Sequence, residues 1–155
     1  MDYLIDGHNL IPHVPGLSLR DPDDEQRLAE QVLAFCRAGR HRAEVYFDGA
    51  PPAQARRQNL GGRVTLIFVA RGRTADDAIR ARLHGLGRAA RNVAVVTSDR
   101  QVQAAARAAG ARVIPSSAFA RRLRAAPPPP AAEKPAALAP DEVEEWLRLF
   151  GEGDP

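Results

Sequence analysis

The stretch YLIDGHNLI, residues 3–11, sets an acid, a glycine, a histidine and an asparagine inside an otherwise apolar run. YLI reads as a buried strand, and Asp6 stands directly after it. Open α/β sheets place their ligands in the crevice at the carboxyl ends of their strands, so a carboxylate at that point has a functional reading. A capping or turn role does not account for Asp6, because Gly7 and Asn9 already meet those needs. The reading then depends on whether other acids converge on it.

Apolar runs rich in β-branched residues alternate with helical patterns along the chain, which predicts a parallel α/β sheet. Strands are expected at 3–6, 43–48, 64–69, 92–98 and 112–114. DDEQRLAEQVLAFCRAG repeats Leu28, Val32, Leu33 and Phe35 behind acids in its first turn, with Gly39 after the end, so it reads as a helix. TADDAIRARLHGLG starts at Thr74 as a candidate N-cap and carries Ile79 and Leu83 on one face. DRQVQAAARAAG is alanine-rich, and SSAFARRLR makes a short last helix capped by Ser116 or Ser117.

On such a sheet Asp6 ends the first strand, Asp48 ends the second in EVYFDG, and Asp99 follows the fourth in VAVVTSD. Asp76 and Asp77 occupy the first turn of the helix after the third strand. All reach the same edge. Each has a plainer reading: Asp76 and Asp77 complement a helix dipole, Asp99 caps a helix, and Asp48 before Gly49 makes a turn. Four segments aiming acids at one edge are harder to explain one by one. Crowded carboxylates repel and stay ionised only with cations or shared protons between them. An all-oxygen set with no cysteine and no histidine pair suits Mg²⁺ or Mn²⁺. Such an ion beside a basic surface suits transfer of a phosphoryl group to water.

The basic surface follows from composition. Residues 1–126 hold 20 Lys+Arg against 12 Asp+Glu, a net of +8, whereas residues 127–155 hold 2 against 7, a net of −5. Every basic residue but Lys134 is arginine, the side chain shaped for bidentate phosphate contact, although a GC-rich genome also favours arginine. The excess itself suits a polyanionic partner. At 155 residues the chain is expected to form one domain. No apolar run approaches a membrane span and the start lacks a signal peptide's features, so a cytoplasmic protein without a membrane partner is expected. The lone Cys36 excludes an internal disulfide and reads as a small buried hydrophobe.

From Ala125 the composition shifts to AAPPPPAAEKPAALAP, an extended linker over 125–140. DEVEEWLRLF, 141–150, follows as an amphipathic helix with Val143, Trp146, Leu147 and Phe150 on one face, and 151–155 is a tail. That helix is expected to dock on its own domain or on a second copy, giving a homodimer.

YLIDGHNLI, VYFDG, RRQNLGGRVTLIFVARGRTADDAI and VAVVTSDRQVQAAARAAGARVIPSSAFARRL together resemble, in order and spacing, the NYN domain of the YacP-like group, relatives of the PIN-domain nucleases. The resemblance covers residues 2 to 124. It implies a PIN-like three-layer αβα sandwich around a Rossmann-like parallel sheet, a Mg²⁺- or Mn²⁺-dependent endoribonuclease, and messenger RNA on the ribosome as the target. Carried over, Asp6 is the central metal ligand, Asn9 its polar support, and Asp77 and Asp99 further acids of the metal site, with Asp76 and Asp48 secondary. Thr97 and Ser98 are expected to orient the loop holding Asp99. Many relatives have an aromatic residue before the asparagine where this chain has His8, which could touch a phosphate but stacks less well. Arg56, Arg57 and Arg63, flanking Gly61 and Gly62, with Arg71 and Arg73 entering the TADD helix, are the expected RNA-binding arginines. The linker and acidic tail lie outside the resemblance.

Two other classes compete with the nuclease. A non-catalytic RNA- or ribosome-binding module would keep the fold, though RNA binding alone gives no reason to keep every acid. A small-molecule phosphohydrolase is disfavoured because Asp6 is followed by Gly7 and His8 rather than by a second aspartate two residues on. A dinucleotide-binding fold lacks its G-x-G-x-x-G after the first strand.

Overall fold

A computed structural model describes residues 1–125. The expected linker, C-terminal helix and tail lie outside these residues. Six strands form one sheet: β1 (Asp2–Asp6), β2 (Arg42–Ala50), β3 (Arg56–Leu60), β4 (Val64–Ala70), β5 (Val93–Val96) and β6 (Arg112–Ile114), in the order β3-β4-β2-β1-β5-β6. Helices α1 (Gly7–Leu10), α2 (Asp24–Gly39), α3 (Ala75–Leu86), α4 (Arg100–Ala108) and α5 (Ser116–Ala125) connect them.

The sheet separates two cores because side chains alternate across it. Tyr3, Ile5, Val45, Phe47 and Val96 pack with Leu28, Val32 and Cys36 of α2 and with Phe119 and Leu123 of α5. Leu4, Tyr46 and Val95 pack on the other face with Ile79 and Leu83 of α3 and Val102 and Ala106 of α4. The result is the expected three-layer αβα sandwich. Cys36 is buried, which pushes its thiol up to about 12.

The sheet departs from the expected all-parallel form at one edge. Five strands are parallel, but β3 pairs antiparallel with β4, from Arg56 opposite Phe68 to Leu60 opposite Val64. RRQNL is too polar to read as a strand on its own. The turn after it forms because Gly61 and Gly62 take φ of 61° and 72°, open to glycine at little cost, and Asn59 Oδ1 accepts the Gly62 N–H at 2.8 Å.

The segment after β1 and two expected boundaries complete the picture. Residues 7–11 turn at once into α1 and a single 3₁₀ turn, which carry Leu10 and Ile11 into the core. Gly7 allows this, since a Cβ there would clash with the edge of the Phe47 ring and lie 3.0 Å from the Tyr46 carbonyl oxygen. Ser116 does not cap α5: Pro115 O accepts from Phe119 N, and the Ser116 hydroxyl is committed elsewhere. β5 also ends sooner than expected, at Val96, freeing Thr97 and Ser98 from the sheet.

Candidate active site

Asp6 sits at the carboxyl end of β1, a central strand flanked by β2 and β5. Register places it level with Tyr46, two residues before Asp48 on β2, while Ile5 is level with Val96, three residues before Asp99. The three acids therefore lie toward the same end of adjacent strands, Asp99 in the loop beyond β5. Burial raises the Asp6 carboxyl to about 6; the backbone hydrogen bond from Asn9 pulls it down, and the Asp48 and Asp99 charges push it up against the pull of His8. A partly buried acid among like charges is the pattern that marks functional sites.

His8 is the counter-charge. Its Nε2 lies 2.7 Å from Glu25 Oε2 and its Nδ1 lies 3.1 Å from Asp48 Oδ1. The bond to Glu25, and after burial's opposing effect the bond to Asp48, raise the imidazole to about 9. Both ring nitrogens then donate, so His8 is an imidazolium clamped between two carboxylates. Glu25 and the neighbouring buried Asp24 are the members that the sequence did not disclose, since acids in the first turn of α2 read as dipole complements. Burial, first among the causes, raises the Asp24 carboxyl.

The remaining acids are each engaged by the protein. Asp48 Oδ2 accepts the Ala75 N–H at 3.2 Å, which ties it to the start of α3. Asp77 closes a capping box with Thr74, its Oδ2 accepting from Thr74 N at 3.3 Å and its own N–H reaching Thr74 Oγ1 at 3.0 Å. Asp76 pairs with Arg80 one turn on, at 2.6 Å. Asp99 caps α4 through Oδ1, which takes the Gln101 and Val102 N–H groups at 2.8 and 3.3 Å. Capping thus occupies one oxygen of Asp99.

Asn9 ties this edge together. Its Oδ1 accepts the Ser98 N–H at 2.8 Å and the Ser116 hydroxyl at 2.6 Å. Thr97 Oγ1 accepts from Asp99 N at 3.1 Å, and Ser98 Oγ accepts from Ser116 N at 3.1 Å. The loop carrying Asp99 is held to the segment that follows Asp6.

The arginines divide. Arg71 and Arg73 are exposed just before α3, Arg71 Nε reaching the Gly49 carbonyl oxygen at 3.4 Å. Arg56 lies over the Phe68 ring, 4.4 Å from its centroid, and with Arg57 it stands near the level of Asp6 because β3 runs backwards. Arg63 does not flank the acids. It precedes Val64 at the start of β4, with the glycine turn, at the opposite edge of the sheet.

Among the described residues no three His, Cys, Asp or Glu side chains converge into a ready metal cage. The donor set still fits a hard cation, because Mg²⁺ is commonly held by one or two carboxylates with water completing its shell. Asp48 has both oxygens bonded, whereas Asp6 and one oxygen each of Asp99, Asp77 and Asp76 remain as donors for it.

Fold and site together define a PIN-like αβα domain with carboxylates at the carboxyl edge of its sheet. The chain belongs to the YacP-like NYN domain family, whose sequence profile matches residues 3–136. It is similar to the crystal structure of Rae1 (YacP) from Bacillus subtilis, with 25% identity and a TM-score of 0.67 over 81% of this chain and 74% of that one. A tryptophan-to-leucine variant of the same Bacillus protein gives 23% identity and a TM-score of 0.64 over 80% and 75%. No curated protein sequence matches. The family points to a nuclease-like, RNA-related function. No helix among the described residues is long and apolar enough to cross a membrane.

Proposed function

We propose that this domain is a Mg²⁺- or Mn²⁺-dependent endoribonuclease that hydrolyses phosphodiester bonds at the carboxyl edge of its sheet. The observation that carries this is Asp6, partly buried on a central strand and flanked by Asp48 and Asp99. Asp6 and Asp99 would hold the ion. When bound, it lowers the pKa of the attacking water and neutralises charge on the leaving oxygen. His8 keeps Asp48 turned toward the start of α3, and Asn9 holds the Asp99 loop at working distance. Arg71 and Arg73 would grip the phosphates beside the cut, and Arg56 and Arg57 would follow the strand outward. The resemblance to the YacP-like group favours messenger RNA on the ribosome as the natural substrate.

A second reading is favoured by one observation: Asp48, Asp76 and Asp77 are all committed to bonds within the protein. On that reading the domain binds RNA or ribosomes without cutting. Cleavage of an end-labelled structured RNA, with and without ribosomes, by wild type and Asp6→Asn in Mg²⁺, Mn²⁺ and EDTA separates the two. Metal-dependent cuts that vanish with Asp6→Asn support the nuclease; binding with no cuts supports the module.

A further inference from the structure

The opposite, amino edge of the sheet collects arginine. β4 is entered from Arg63, β2 begins at Arg42, β5 is entered from Arg91 and β6 begins at Arg112. These ends lie along one edge: Ala43 N donates to Arg63 O at 2.9 Å, Arg42 N donates to Met1 O at 3.2 Å, and Arg42 is level with Asp2 and Val93 while Arg112 is level with Ala94, so the Arg42 and Arg112 side chains leave that edge on opposite faces. With neighbouring strands about 4.8 Å apart, the row from β4 to β6 spans roughly 20 Å.

The row is under-neutralised. Only Asp2 and Glu44 lie among these ends, and Glu44 is already saturated by Arg82 at 3.0 and 3.1 Å and by the Tyr46 hydroxyl at 2.5 Å. Arg42, Arg91 and Arg112 are exposed, and none forms an ion pair with a described residue. Arg40, between α2 and β2, is the one described non-glycine residue with a positive φ, 57°. That conformation is the left-handed C-cap of α2, and the Arg40 side chain is exposed two residues before β2. A cavity of about 240 Å³ opens at the β2–β4 end, lined by Arg42, Arg63, Arg82 and Asn59 together with the acids Asp2 and Glu44.

Planar guanidinium forks without lysine, beside a recess large enough for a phosphate group, match a phosphodiester backbone. The row cannot serve the bond being cut, because β1 separates the two edges by five residues, about 15 Å. We propose that the amino edge is a second RNA-binding surface, where Arg42, Arg91 and Arg112 take phosphates of a structured RNA while a separate single strand is processed at the carboxyl edge. The proposal rests on RNA as the substrate class and adds a remote contact to it.

The test compares the full chain with its Arg42→Gln, Arg91→Gln, Arg112→Gln triple variant. Affinity for a hairpin RNA is measured in EDTA over a range of salt, and cleavage of a short single-stranded oligonucleotide is measured in Mn²⁺. The variant is expected to bind the hairpin about tenfold more weakly and to lose about two from the slope of log affinity against log salt. Its oligonucleotide cleavage is expected to stay within about twofold of wild type, as these residues touch nothing at the acid edge. Should the triple variant melt early, Arg112→Gln alone must still lower the slope. Unchanged affinity and slope overturn the proposal and leave the row to an acidic protein. Absence of oligonucleotide cleavage by wild type would sink the nuclease reading while the hairpin comparison still decided the row.

Discussion

The carboxamide oxygen of Asn9 accepts the backbone N–H of Ser98 at 2.8 Å across 89 residues of sequence. Together with the Ser116 hydroxyl on the same oxygen, it joins the segment after β1 to the loop after β5. Asp6 ends β1 just before the first segment and Asp99 lies in the second, so their separation depends on this contact. Asn9→Ala leaves the fully buried Ser116 hydroxyl without its acceptor. We expect a loss of about 1–3 kcal/mol in denaturant unfolding and a larger proportional loss of cleavage. Wild-type stability in that variant would remove Asn9 from the scaffold.

His8 gives a pH signature. Its folded value of about 9 lies above the ordinary 6.5, so its stabilisation is fully present below pH 6.5 and lost as pH rises through 9. His8→Gln should cost about 1–2 kcal/mol at pH 6, allowing for partial solvent screening, and almost nothing at pH 10. Melting curves of both proteins from pH 5 to pH 10 check this; parallel curves would show that His8 is not charged in the fold.

Asp6 has the reverse consequence. Its folded value of about 6 lies above 3.8, so without metal the cost of ionising it appears as pH rises through this window and is absent below it. Metal-free Asp6→Asn should therefore be more stable than wild type by about 1–3 kcal/mol at pH 8 and indistinguishable near pH 3.5. A variant less stable than wild type at pH 8 would mean that Asp6 is structural.

Gly7→Ala should destabilise by about 1–3 kcal/mol, because the new methyl would meet Phe47 and the Tyr46 carbonyl beneath the site. Denaturant unfolding of the variant measures it, and a neutral result would show that α1 shifts freely.

Arg56→Ala with Arg57→Ala should weaken single-stranded RNA binding and lower its salt slope by one to two, read by titration at several salt concentrations. An unchanged slope would move the substrate path off β3.

The sandwich was legible because strand and helix periods alternate cleanly and because Thr74 and Asp99 punctuate them, although α2 runs through Gly39 and turns at Arg40 instead. β3 was not, since RRQNL becomes a strand only through its turn and its pairing with β4. That turn also explains Arg63: the sequence places it near the glycines, but only the hairpin's direction shows that the glycines lie far from the acids. The three acids at the strand ends could be aligned from sequence, as strand ends in a parallel sheet share an edge. Glu25 could not, because its role depends on α2 packing beside His8, a long-range contact with no local signal.

The most direct test of the central claim, that Asp6 is the heart of a divalent-cation site, is the melting temperature of wild type and Asp6→Asn at pH 8 as MgCl₂ or MnCl₂ is raised. The ion is expected to stabilise wild type, by about 2.7 kcal/mol at a hundred times its dissociation constant, and to leave Asp6→Asn unmoved. An equal shift in both proteins, or none in wild type, would contradict it.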